Sequence, residues 1–172
     1  RSAGTTRRTL ISLAAISAAL AILPVFHEDR ANPYNGAQLV TVAKAVSAVS
    51  RSREEAAYLI AIGQHESGLS FRIHFGLCRG FECDRGRAVS LFQLHQNGRT
   101  TEAWHGFVGL SLDATKAAAG AALQHVRFAQ RVCRGEPDPV VATFRAYAGR
   151  GCRSVLPGER DRVATFHAVV RK

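Results

Sequence analysis

The stretch SREEAAYLIAIGQHESG, residues 52–68, decides the fold. Ser52 followed three residues later by Glu55 is a capping box, the reciprocal side-chain and backbone exchange that opens a helix. Leu59, Ile62 and Glu66 then fall at i, i+3 and i+7, on one helical face. Gly68 suits the left-handed position that closes such a helix. The segment is therefore expected as a single helix whose buried face ends in a carboxylate.

Further helices are expected on both sides. Leu39, Val42, Val46 and Val49 form an apolar stripe at helical spacing. From Ser70 to Gly86 periodicity is lost, and Gly, Arg and the first two cysteines dominate, so a loop with room for a small hairpin is expected. Val89 to His95 is expected as a short helix. Asp113 is expected to cap an Ala-rich helix running to about Val132, whose small stripe of Ala118, Ala122, His125 and Ala129 lets a neighbour approach closely. Asp138 and Pro139 supply the N-cap and first-turn residue of another helix, which Gly149 ends. Pro157 opens a last helix carrying Val163, Phe166 and Val170. The fold class is mainly α, with one irregular loop holding cysteines, preceded by an N-terminal apolar helix.

That apolar segment is Thr9 to Phe26, preceded by Arg7 and Arg8. A basic start followed by an apolar run marks an export signal, here at the short edge for a membrane span. A cleaved signal and a retained anchor both fit, as does a buried core helix; Thr6 to Leu10 also resembles a twin-arginine signal. The basic residues place that end in the cytoplasm and the remainder outside. The expected location is thus exported, in the periplasm or cell envelope, with inner-membrane anchorage if the segment is kept. Residues 1–26 are read as signal or anchor, 27–36 as a polar linker and 37–172 as the folded domain.

The net charge is +10. Without residues 1–26, 20 basic and 13 acidic residues remain, a net +7, so the basic bias belongs to the folded part. Such a field favours polyanions: nucleic acid, anionic lipid, or a wall bearing carboxylates and phosphates. The charge is spread along the chain, with no basic helix and no aromatic–basic interleaving, which argues against nucleic acid. Cys78, Cys83, Cys133 and Cys152 form an even set behind an export-like segment and so read as disulfides. Three connectivities exist, of which Cys78–Cys83 with Cys133–Cys152 is the least demanding. A metal site using His74, Cys78 and Cys83 matches no common zinc spacing, and no metal or cofactor is expected.

Glu66 is the candidate for chemistry. Carboxylates are seldom buried without a partner or a purpose. Burial favours the protonated carboxyl, and the negative end of the helix dipole pushes the same way. A carboxyl that keeps its proton near neutral pH is suited to general acid catalysis. The other reading is a solvated Glu at a fraying helix end. His65-Glu66 does not continue into a zinc-protease helix, because Leu69 stands where the second His is needed. No Gly-rich phosphate loop or nucleophile elbow occurs.

Glu66-Ser67-Gly68 closes a helix, Ser90-Leu91-Phe92-Gln93-Leu94 follows an irregular loop, and Ala146-Tyr147-Ala148-Gly149 ends a later helix. This ordered trio, spanning roughly residues 37–150, resembles the lysozyme-like lytic transglycosylases of the soluble type. The resemblance implies a lysozyme-like fold, Glu66 as the catalytic residue, Gln93 as a cleft polar residue with Ser90 beside it, and Tyr147 as the tyrosine next to the Glu. Ser90 replaces a usual Gly, Phe92 a usual Met, and the Asn expected after Tyr147 is absent. Cys83-Asp84-Arg85-Gly86 also resembles goose-type lysozymes, which implies that Asp84 positions a water, although His95 stands where those enzymes carry a second acid. A hydrolase holds its attacking water, commonly through a second carboxylate, whereas a transglycosylase needs none. With one helical Glu and only a loop Asp, the balance favours peptidoglycan cleavage by Glu66 as acid and then base, giving 1,6-anhydro products. A muramidase and a catalytically dead wall-binding or assembly protein are the alternatives, with a basic membrane-surface protein a further one. Trp104 would stack on a sugar ring or pack in the core. The implied partners are peptidoglycan glycan strands, in the service of a secretion machine, pilus, flagellum or phage particle.

Overall fold

The computed structural model describes residues 35–95, 106–109 and 111–171. The expected signal or anchor, almost all of the linker, and Trp104 lie outside these residues. The structure is mainly helical. Helix α1 spans Asn35–Val49 and α2 spans Arg53–Ser67. A single turn, α3, covers Phe71–His74, and a 3₁₀ turn covers Phe81–Gly86. Strands β1 (Ala88–Val89) and β2 (Leu94–His95) pair antiparallel, Ala88 opposite His95 and Val89 opposite Leu94. Helices α4 (Leu112–Val132), α5 (Pro139–Tyr147) and α6 (Glu159–Val170) complete the order.

Helix α2 is the central element. Its start is the expected capping box: the Ser52 hydroxyl accepts the Glu55 N–H at 3.1 Å. The Glu55 carboxylate reaches back one residue further than Ser52 and accepts the Arg51 N–H. Residues 56–64 are all buried, and α4, α6 and α1 all pack against the helix. A helix buried on every side needs small residues where neighbours cross. Ala56, Ala57 and Ala61 meet that need, and Gly63 has Leu69 so near that an added Cβ would sit 3.1 Å from it. At its end Gly68 takes the left-handed conformation (φ 63°) and turns its N–H onto the carbonyls of Gln64 and Gly63. Helices α5 and α6 bring the aromatic layer together: the Tyr58 ring packs tilted at 5.3 Å from Phe144 of α5 and at 4.5 Å from Phe166 of α6.

Three expectations are corrected. Residues 89–95 form a hairpin, not a helix. Ser90 (φ 64°) and Gln93 (φ 49°) both adopt left-handed backbone, which reverses the chain and cannot continue a right-handed helix. The cap of α4 is Ser111, whose hydroxyl accepts the Ala114 N–H at 3.1 Å; Asp113 stands in the first turn, where it complements the dipole. In the α4 stripe Ala118, Ala122 and Ala129 are buried, but His125 is exposed. The helix turns Val126 inward instead. Asp138 caps α5 as expected, accepting the Val140 and Val141 N–H groups. Helix α6 begins at Glu159 after left-handed Gly158, two residues later than Pro157, and buries Phe166 with Val169, while Val163 and Val170 are half-buried.

The disulfides are Cys78–Cys83 and Cys133–Cys152. His74, the third member of the alternative metal set, is buried, with its Nε2 at 3.2 Å from the Thr115 hydroxyl. No helix among the described residues is long and apolar enough to cross a membrane.

Candidate active site

Glu66 lies in the last turn of α2, where the helix leaves the core. Its side chain is 22% exposed, so it is neither engulfed nor solvated. It opens into a groove of about 370 Å³ lined also by Gln93, Leu94, His95, His125, Tyr147, Ala148 and Gly149. Four segments distant in sequence therefore meet at one groove: the end of α2, the hairpin, α4 through His125, and the end of α5.

Each partner is held by a specific bond. Left-handed Gln93 sends its side-chain amide back to donate to the Glu66 backbone carbonyl at 3.1 Å. This satisfies one of the carbonyls that a helix end leaves unpaired. Tyr147, at the last position of α5, donates its hydroxyl to the Phe92 carbonyl at 2.8 Å, tying α5 to the hairpin turn. Burial, and after it the nearby Glu66 charge, push the Tyr147 hydroxyl far above its ordinary range, so it stays a neutral donor. His125 of α4 approaches the Tyr147 ring at 6.2 Å between centroids, and exposed His95 also lines the groove.

Nothing in the sequence marks the ion-pair partner of Glu66. Arg162 of α6 places Nη2 3.0 Å from Glu66 Oε1, and its own side chain is only 11% exposed. The position lies 96 residues further along, and nothing in the spacing of α6 marks it.

The remaining candidates are placed elsewhere. Ser90 is fully buried and accepts the Phe92 N–H at 3.2 Å, so it shapes the hairpin turn and does not line the groove. Asp84 belongs to the 3₁₀ turn, and its side chain lies outside what is described. His65 turns away toward α6, with Nε2 at 3.1 Å from the Thr165 hydroxyl. Burial, and then the charge of Arg162, lower its proton affinity below that of an ordinary His. Among the described residues no group of three or more His, Cys, Asp or Glu side chains is arranged to hold a metal ion. What the groove offers is one carboxylate beside an arginine, a neutral tyrosine, an amide and two rim imidazoles. That set suits proton transfer to a bound polar substrate. Compared with family models, curated proteins and solved structures, the chain matches none.

Proposed function

We propose that this protein cleaves the β-1,4 bond between N-acetylmuramic acid and N-acetylglucosamine in peptidoglycan, as a lytic transglycosylase. The observation that carries the reading is the convergence of Glu66, Gln93 and Tyr147 on one groove. These are the residues that the resemblance to lysozyme-like transglycosylases singles out, and the sequence separates them by 27 and 54 positions. The groove is partly open and mixes apolar wall with hydrogen-bonding side chains, as a glycan can use, and the basic chain complements a wall rich in carboxylates and phosphates.

The reaction runs on one carboxyl group. Glu66 gives its proton to the glycosidic oxygen, and the bond from that oxygen to the muramoyl C1 breaks with its electron pair leaving on the N-acetylglucosamine side. The muramoyl 6-hydroxyl then attacks C1 and returns a proton to the Glu66 carboxylate. A 1,6-anhydro ring forms and the enzyme is restored. The polar groups of the groove wall, Gln93 and Tyr147, hold the frame of the site while the proton moves out and back.

Incubation of the full chain with purified peptidoglycan, followed by mass spectrometry of the fragments, tests this. Anhydro-muropeptides are expected. Reducing-end products would replace the reading with a muramidase, and an intact sacculus would replace it with a wall-binding protein. Glu66→Gln should lower release by roughly 10²–10⁴-fold, the usual contribution of a general acid, with the melting temperature little changed. Retained cleavage would remove Glu66 from the mechanism.

A further inference from the structure

Arg162 is built into the groove more firmly than a surface ion pair requires. Its Nη1 donates to the Pro157 carbonyl while Nη2 holds Glu66. Gly158 lies beneath it at φ 67°, and a Cβ there would stand 3.1 Å from Nη1. The turn that opens α6 thus makes room for the guanidinium and anchors it from behind. Only Oε1 of the Glu66 carboxylate is engaged; Oε2 accepts no hydrogen bond among the described residues.

We propose that Arg162 is the positioning residue of this carboxylate: by holding Oε1 it leaves Oε2 as the oxygen that exchanges a proton with the substrate. The inference rests on the glycan-cleaving reading and adds to it the residue that orients the acid. Tyr147 and His65 direct their described bonds elsewhere. Tyr147 of α5 spends its hydroxyl on the Phe92 carbonyl. His95 of β2 and His125 of α4 stand on the rim. On α2 itself His65 turns to Thr165, and Asp161 of α6 interacts with His65.

The test combines two readouts on the full chain: the kinetics of muropeptide release from soluble glycan fragments, separated into kcat and KM, and thermal unfolding. In Arg162→Gln kcat should fall by roughly tenfold or more with KM little changed, because a carboxylate that is no longer held by one oxygen is misaimed at the reacting bond and not at the bound substrate. Arg162→Lys should restore kcat only in part, since the charge returns but the fork that fixes one oxygen does not. An unchanged kcat in Arg162→Gln, with only the melting temperature lowered, would show a structural pair and overturn the inference. Were Arg162→Gln to fail to fold, a full kcat in Arg162→Lys would overturn it equally. Fragment release by the wild type together with an unchanged kcat in the variants removes this inference alone. No release by the wild type removes the glycan reading and, with it, the inference that rests on it.

Discussion

Glu55 and Glu66 stand at opposite ends of α2, and each meets an arginine from another helix. At the N-terminal end both oxygens of Glu55 are occupied: Oε2 by the Arg51 N–H and Oε1 by Arg127 Nε at 2.8 Å. The positive end of the helix dipole adds to this. Burial pushes the Glu55 carboxyl up, but Arg127 and Arg51 outweigh it and hold the group below the ordinary carboxylate range. At the C-terminal end the dipole has the opposite sign, one oxygen of Glu66 is engaged, and the side chain faces a groove. The same pairing of side chains therefore does different work. Where both oxygens are engaged the carboxylate fastens the fold, and where one is left over it is available for chemistry.

Glu55→Ala breaks the contrast most directly. It removes the cap's return bond and leaves Arg127 without its partner, which should cost about 2 kcal/mol. The melting temperature should fall by about 6 °C in a chain of this size, while muropeptide release below the transition is retained. Loss of release without loss of stability would mean that the two ends are not divided in this way. Tyr147→Phe probes the groove end more gently. The Phe92 carbonyl loses its donor, a cost of about 1 kcal/mol in thermal or denaturant unfolding. Release should drop by up to about tenfold as the hairpin that holds Gln93 loosens. Unchanged release would place Tyr147 in packing alone.

The smallest effect lies in the pH dependence. The folded Glu55 carboxyl ionises below the reference value of 4.5, so its contribution is complete above pH 4.5 and fades as pH falls through the lower folded value. The stability gap between wild type and Glu55→Ala, measured by denaturant unfolding, should therefore shrink below pH 4.5. His74 is held down to about 4 by burial, so stability also falls between its reference value of 6.5 and about pH 4. That loss is common to both proteins and cancels in the difference. A gap that stays constant to low pH would show that the Glu55 bonds do not depend on its charge.

What the sequence disclosed followed the reach of each interaction. The capping box at Ser52, the turn at Gly68 and the Asp138-Pro139 start are set within about four residues, and all three were legible. The short cysteine loops likewise predicted the observed pairing. The hairpin at 88–95 was not, because it depends on left-handed backbone at Ser90 and Gln93, residue types that give no sign of it. Its register is held by Tyr147, far along the chain. His125 was misplaced because a stripe of alanines fixes a helical face only to within about one turn. Arg162 could not be read at all: an arginine three residues into an amphipathic helix is ordinary, and only the packing of α6 on α2 brings it to Glu66.

The Cys133–Cys152 bridge encloses the whole of α5, and with it Tyr147. A crosslink over so short a span restricts the unfolded chain by about 3 kcal/mol. Part of the ordering of that groove wall is thus supplied covalently, before any substrate arrives. Reductants would weaken this wall more than the Glu66 helix, which contains no cysteine and is held by burial, its caps and its ion pairs. The shape of the groove, and not the identity of its acid, is what thiol chemistry can reach.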